Sequence, residues 1–299
     1  MSGLLLPITT PFTSAGDLDL PALQRNIASW NKTGIGGYVM LGSTGERVHL
    51  NEKEYQQVIA TAREAIPEDL LLIAGAGQHS TRLTIDEITR VSELGGVDGV
   101  LVLTPYFYRP AITQRLLEDH YRGVADASPV PVILYSMPPF TGIKIDPPTV
   151  ARLSSHENII GIKDSSADVS GVKETADQVE DGFAVLTGNG TILAEALRAG
   201  ACGAILAVGC VAPHLALAIN EAIKAGDDEG AAALQAKLTP LATAVTTTHG
   251  IGGLKVALDL VGYEGGYVRA PLKMPDAQAR EEIAALLTTD LITSFERVG

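Results

Sequence analysis

Eight short runs dense in Val, Ile and Leu, each followed by a longer amphipathic stretch, constrain this chain more than any other feature. They are LLLPIT (4–9), GYVML (37–41), LLLIAG (70–75), GVLVL (99–103), PVILYS (131–136), IIGIKD (159–164), FAVLTG (183–188) and GAILAV (203–208). None alternates strictly between apolar and polar residues, so each reads as a parallel strand buried on both faces. Helical periodicity fills the stretches between them. One such stretch, 51–66, opens with Asn51 and Glu54 as a capping pair. Others are 81–95 and 190–200, the latter ending in a C-cap glycine.

Eight βα units spaced roughly 20 to 34 residues apart point to a closed (β/α)8 TIM barrel over residues 1–225. Residues 213–225 complete the eighth unit. Residues 226–299 read as a C-terminal helical extension of the same structural unit, with helices at 227–247, 252–262 and 276–289. An open doubly wound sheet is the alternative, but no Gly-rich dinucleotide fingerprint follows the first strand. Gly34-Ile35-Gly36-Gly37 precedes a strand, and Gly252-Gly253-Leu254-Lys255 lacks the spacing of a P-loop and its Ser/Thr.

A formal net charge of −13 argues against nucleic acid and against an anionic membrane surface as partners. It leaves small acids open, because a few placed groups override a diffuse surface charge. Two cysteines, Cys202 and Cys210, both in an apolar stretch, fit buried thiols of an intracellular domain. The N-terminal MSGLLLPITTPF lacks the basic start and apolar core of a signal peptide. No apolar run reaches the roughly 18 residues needed to cross a bilayer. A cytoplasmic location is expected.

Barrel chemistry sits where strands end. The second strand delivers Gly42-Ser43-Thr44-Gly45-Glu46, the fourth Thr104-Pro105-Tyr106-Phe107-Tyr108, the fifth Tyr135-Ser136 and the sixth Lys163-Asp164-Ser165. Of nine lysines, Lys163 alone follows a buried strand, Ile159-Ile160-Gly161-Ile162; most others stand in polar or helical contexts. Burying an unpaired ammonium costs several kcal/mol, so the position needs a reason. A structural pair with Asp164 is one, although adjacent strand residues point to opposite faces. Schiff-base chemistry is the other. It requires an uncharged amine, and a low-dielectric barrel mouth brings a lysine toward roughly pH 7–8. Tyr135 fits either a core tyrosine or a proton shuttle. Ser43 and Thr44 offer hydroxyls and amides to a carboxylate, while Glu46 fits a brace for their turn. The six histidines show no HxxxH pairing, and no carboxylates cluster at strand ends, so no metal site is expected. No GxSxG elbow is present, which disfavours a serine hydrolase.

With these residues the sequence resembles the dihydrodipicolinate synthase / N-acetylneuraminate lyase family of class I aldolases. The likeness runs from Pro7-Ile8-Thr9-Thr10-Pro11-Phe12 to Arg269-Ala270-Pro271-Leu272, through GSTGE (42–46), TPYFYRP (104–110), LYSMP (134–138), GIKDSS (161–166) and LTGNG (186–190). The resemblance implies a Schiff-base lysine at Lys163, a proton-shuttling phenol at Tyr135, and a role for Ser43 in the relay. It further implies a substrate carboxylate held by Ser43 and Thr44, and a pyruvate pocket lined by the backbones of Gly188 and Ile205. No cofactor is implied, and the assembly implied is a homotetramer built as a dimer of dimers.

Two positions depart from the synthase pattern. Phe140 stands where synthases place an arginine for the carboxylate of aspartate semialdehyde, and a phenyl ring cannot replace a bidentate guanidinium. Phe107 stands where they use a tyrosine lent across the dimer interface; Tyr106 or Tyr108 is the nearest substitute. Local spellings instead resemble the 4-hydroxy-2-oxoglutarate aldolase branch: Leu134-Tyr135-Ser136-Met137-Pro138, Lys163-Asp164-Ser165 and Gly262-Tyr263-Glu264-Gly265-Gly266-Tyr267. That branch cleaves its substrate to pyruvate and glyoxylate, with Ser165 then placed for the distal carboxylate or as a helix cap. The expected activity is therefore this cleavage, with dihydrodipicolinate synthesis from pyruvate and aspartate semialdehyde as the alternative. A non-catalytic 2-oxo acid-binding homologue is a third reading.

Overall fold

The computed structural model describes residues 3–287. Eight parallel strands close into a barrel in sequence order. They are β1 (Gly3–Pro7), β2 (Gly37–Met40), β3 (Leu71–Ala76), β4 (Gly99–Leu103), β5 (Val132–Ser136), β6 (Ile159–Asp164), β7 (Ala184–Thr187) and β8 (Gly203–Ile205). The seam pairs β1 with β8, Gly3 opposite Gly203 and Leu5 opposite Ile205. Closure excludes the open sheet, and the architecture is a (β/α)8 barrel.

The surrounding helices are α1 (Leu20–Trp30), α2 (Glu52–Ala65), α3 (Thr81–Glu93), α4 (Gln114–Ala127), the short α5 (Pro138–Thr141), α6 (Pro147–Ser154), α7 (Val169–Gln178), α8 (Leu193–Arg198) and α9 (Pro213–Lys224). Beyond them α10 (Asp228–Thr243), α11 (Gly250–Leu260) and α12 (Ala277–Leu286) form the C-terminal helical part. Side chains cap several of these. Asn51 and Glu54 form the reciprocal capping box that the sequence led us to expect at α2. Such caps contribute about 1 kcal/mol each. No helix among the described residues is long and apolar enough to cross a membrane.

Two cores result from strand alternation. Leu5, Val39, Ile73, Leu101, Ile133, Tyr135, Leu186 and Ile205 fill the barrel interior, and the opposite faces pack against the helices. In the outer layer the fully buried Trp30 donates to the Cys210 carbonyl at 2.9 Å and stacks on Tyr263 at 4.8 Å. This ties the first helix to the turn after β8 and to the segment that follows α11.

Some elements are shorter than their apolar runs. The first strand stops at Pro7 rather than continuing to residue 9, and the eighth stops at Ile205, followed by a 3-10 turn at Ala207–Cys210. The helix read at 190–200 begins as a 3-10 turn, Gly190–Ile192, because the Asn189 side chain accepts from the Thr191 N–H at 2.9 Å. The helix read at 227–247 ends at Thr243, three residues after an internal Pro240, and passes into a π-helical turn, Ala244–Thr248. Of the helix read at 276–289, residues 288 and 289 lie outside the described residues.

Candidate active site

Strand register brings the first two candidates together. Tyr135 in β5 stands opposite Lys163 in β6. At one level of adjacent parallel strands, both side chains point the same way, into the barrel. Only 5% of Lys163 and 4% of Tyr135 is exposed. The Lys163 Nζ lies 4.5 Å from the centroid of the Tyr135 ring. Asp164 takes the other face of β6, where its Oδ1 accepts from the Ser166 N–H at 2.6 Å. Burial pushes the Asp164 carboxyl up from the ordinary carboxylate range. Lys163 makes no ion pair among the described residues. A structural Lys163–Asp164 pair is therefore ruled out.

Ser43 joins from the turn that follows β2. Its hydroxyl lies 3.1 Å from the Tyr135 hydroxyl, a hydrogen bond in which either group can donate. The turn approaches this closely because Leu41 adopts a left-handed φ of 55° and β3 presents a glycine beside it. A Cβ on Gly75 would stand 2.2 Å from the Leu41 carbonyl oxygen, so only glycine fits. Thr44 is half-buried in the same turn.

Ser165 and Gly188 complete the inner group. Ser165 is buried, and its N–H donates to the Ser136 carbonyl at 2.9 Å. The cap of α7 is Asp168, not Ser165, since the Asp168 carboxylate accepts from the Gly171 N–H. Gly188 donates to the Asp164 carbonyl at 2.6 Å. A Cβ there would lie 2.0 Å from Ser165 Oγ and 2.8 Å from Lys163 Cε, so the three residues share one small space. Gly188→Ala is accordingly expected to displace the lysine stem and lower activity about 100-fold, the scale of a 1 Å misplacement. Steady-state rates compared with thermal midpoints check this, since the loss should appear in a folded protein.

Ile205 is fully buried in the same interior cluster as Tyr135 and Leu186. Tyr106 is placed differently. It lies edge-on to His79 at 4.6 Å and lines a neighbouring cavity of about 430 Å³ with Arg47, Tyr55, Gln78 and Glu87. Phe107 and Tyr108 project outward, each 70% exposed, and Phe140 on α5 is 65% exposed.

The lysine that sequence reasoning passed over is Lys255, on α11. It stands in a helical context that suggests solvation, yet it is fully buried and paired with Glu46, also fully buried, at 2.7 Å. The signal was its place in an apolar stretch, Leu254-Lys255-Val256-Ala257-Leu258. Glu46 accordingly braces the turn from below, as its position suggests.

Known proteins resemble the chain in sequence and in fold. Residues 1–290 match the dihydrodipicolinate synthetase family. The chain is 37% identical over 286 residues to 4-hydroxy-tetrahydrodipicolinate synthase 1 of Streptomyces coelicolor, covering 95% of this chain and 91% of that one. A dihydrodipicolinate synthase from Bacillus anthracis superposes with a TM-score of 0.92 at 27% identity, covering 96% of this chain and 98% of that one. A prophage protein of the dihydrodipicolinic acid synthase family from E. coli K12, solved in complex with pyruvate, superposes with a TM-score of 0.89 at 29% identity. That pair covers 96% of this chain and 97% of the other. With a likeness that runs nearly end to end in both sequence and barrel, the chain belongs to the dihydrodipicolinate synthetase family of class I aldolases.

Proposed function

We propose that this lyase joins pyruvate to a small semialdehyde through a Schiff base on Lys163, as a 4-hydroxy-tetrahydrodipicolinate synthase does. The observation that carries the reading is the buried row Lys163, Tyr135, Ser43: an amine 4.5 Å from a phenol ring whose hydroxyl is 3.1 Å from a serine. Lys163 Nζ attacks C2 of pyruvate, the carbonyl oxygen takes a proton, and loss of water leaves an iminium. Loss of a C3 proton gives the enamine, whose C3 forms the new bond to the aldehyde carbon while the aldehyde oxygen is protonated. The iminium that results is then displaced from Lys163 by water or by an amine of the substrate, which frees the lysine. Tyr135, linked to Ser43, is the group placed to carry these protons. We assign the pyruvate carboxylate to Ser43 and Thr44, with the Gly188 backbone lining the pocket beside them. The iminium is itself the electron sink, so the chemistry calls for no cofactor.

Sequence alone favoured cleavage of 4-hydroxy-2-oxoglutarate, and the identity to the Streptomyces coelicolor synthase reverses that order. The cleavage reading keeps two supports. Phe140 occupies the place of the expected arginine, and Ser165 is buried beside Gly188 and Lys163 where a polar group of the substrate would reach it. Assays run side by side with pyruvate plus aspartate semialdehyde and with 4-hydroxy-2-oxoglutarate separate the two. Condensation in the first and at most trace pyruvate release in the second is expected; the opposite pattern would overturn the proposal.

We further infer that the protein works as an assembly of its own copies, a homotetramer built from dimers. The support is the exposed aromatic group at Phe107 and Tyr108 beside the mouth, surface a lone chain would leave wet. The cytoplasm is the compartment proposed, because Cys210 lies buried against the Pro7 carbonyl rather than joined to Cys202.

A further inference from the structure

Lys255 has no place in the Schiff-base chemistry, yet it is among the most demanding residues in the fold. Its side chain is wholly buried, and all three of its ammonium protons are used. They go to the Thr10 carbonyl at 2.8 Å, Glu46 Oε1 at 2.7 Å and the Tyr267 carbonyl at 2.5 Å. Burial presses the amine toward the neutral form, and the Glu46 carboxylate opposes this. Two charges without solvent cost several kcal/mol to desolvate, and an apolar pair of similar size would pack at least as well. On an otherwise apolar helix segment, stability alone is a poor reason for a lysine.

The other end of the pair supplies a better one. Glu46 closes the turn that carries Ser43 and Thr44, and it does so in the left-handed region at φ 53°, which a side chain other than glycine adopts only under constraint. Its Oε2 accepts from the Arg269 N–H at 3.0 Å and contacts the His49 ring at 3.1 Å. Its N–H donates to the Ser43 carbonyl at 3.1 Å. Thr10, which accepts from Lys255, donates its own hydroxyl to the Gly45 carbonyl at 2.7 Å. The last two residues of the turn, Gly45 and Glu46, are therefore held by groups that meet at one ammonium.

We propose that Lys255 is a positioning residue for the reaction: through Glu46 and Thr10 it fixes the Gly42–Glu46 turn so that Ser43 meets Tyr135. The inference rests on the role given above to Lys163, Tyr135 and Ser43. It assigns to the C-terminal helical part a share in proton transfer, although α11 supplies none of the reacting groups.

The test uses a partial reaction that needs only pyruvate: exchange of its C3 protons in D2O, which reports enamine formation. Lys255→Met combined with Glu46→Gln removes both charges together, so neither is left buried alone. This double variant is expected to melt near the wild type and to give the same equilibrium yield of borohydride-trapped pyruvate on Lys163. Its exchange rate is expected to fall about 10- to 100-fold, as misplacement of a reacting group does. Loss of stability with no change in exchange would mark a purely structural pair and overturn the proposal. Should the double variant not fold, Thr10→Val removes one hydroxyl at nearly constant shape. There a fall of about two- to tenfold supports the proposal, and an unchanged rate overturns it. Failure of the wild-type protein to trap pyruvate on Lys163 would sink the reading beneath, and this inference with it.

Discussion

Lys163→Ala is expected to lower turnover at least about 1,000-fold while the barrel still folds. Removing a nucleophile removes the route itself, and losses of this size or larger follow when such a group is deleted. The fold should survive because Lys163 has no ion-pair partner among the described residues, so no buried charge is stranded by its loss. Truncating the stem leaves a cavity costing about 2–5 kcal/mol by analogy with large apolar deletions, and release of a desolvated amine offsets part of it. Steady-state assays with circular dichroism measure both quantities. Peptide mapping after borohydride reduction should find the pyruvyl adduct on Lys163 in the wild type and on no residue of the variant. Turnover within tenfold of wild type would refute the mechanism.

Tyr135→Phe should cost about 100- to 10,000-fold in kcat, the usual range for a general acid–base group. The phenyl ring keeps its place 4.5 Å from the lysine amine, and only the hydroxyl that meets Ser43 is lost. Pyruvate should therefore still bind, with KM changed much less than kcat. Ser43→Ala should show the same pattern more weakly, since it leaves the phenol in position. A rise in KM at constant kcat would mean that Tyr135 binds substrate and does not move protons.

Much of this arrangement is legible before any coordinates. Eight short runs of Val, Ile and Leu without alternation, each followed by a helical stretch, point to strands covered on both faces, and their number and spacing leave few architectures. A lysine and a tyrosine each ending such a run must emerge at the same rim. Their register is another matter: that Tyr135 stands level with Lys163 depends on pairing between β5 and β6, which no local pattern records. Strand ends are blurred for a similar reason. The run through Val208 is apolar because Val208, Gly209 and Cys210 in the 3-10 turn are as buried as the strand before it, so hydrophobicity does not mark the boundary. Tyr106 shows the limit of placing a side chain from its neighbours in sequence. It follows β4 as expected, but its ring turns toward His79 and the adjacent cavity. Lys255 was hidden by distance, since its partner lies 209 residues away.

Pairing of β1 with β8 has a consequence for the order of assembly. A nascent chain carries its first strand with one bare edge until residue 205 has been made, and bare edges invite wrong pairing. Glu46 waits longer still, for an ammonium made 209 residues later. The last strand is thus made before the rim can be anchored, and a chain stopped between residues 205 and 255 would lack the ammonium that holds Glu46.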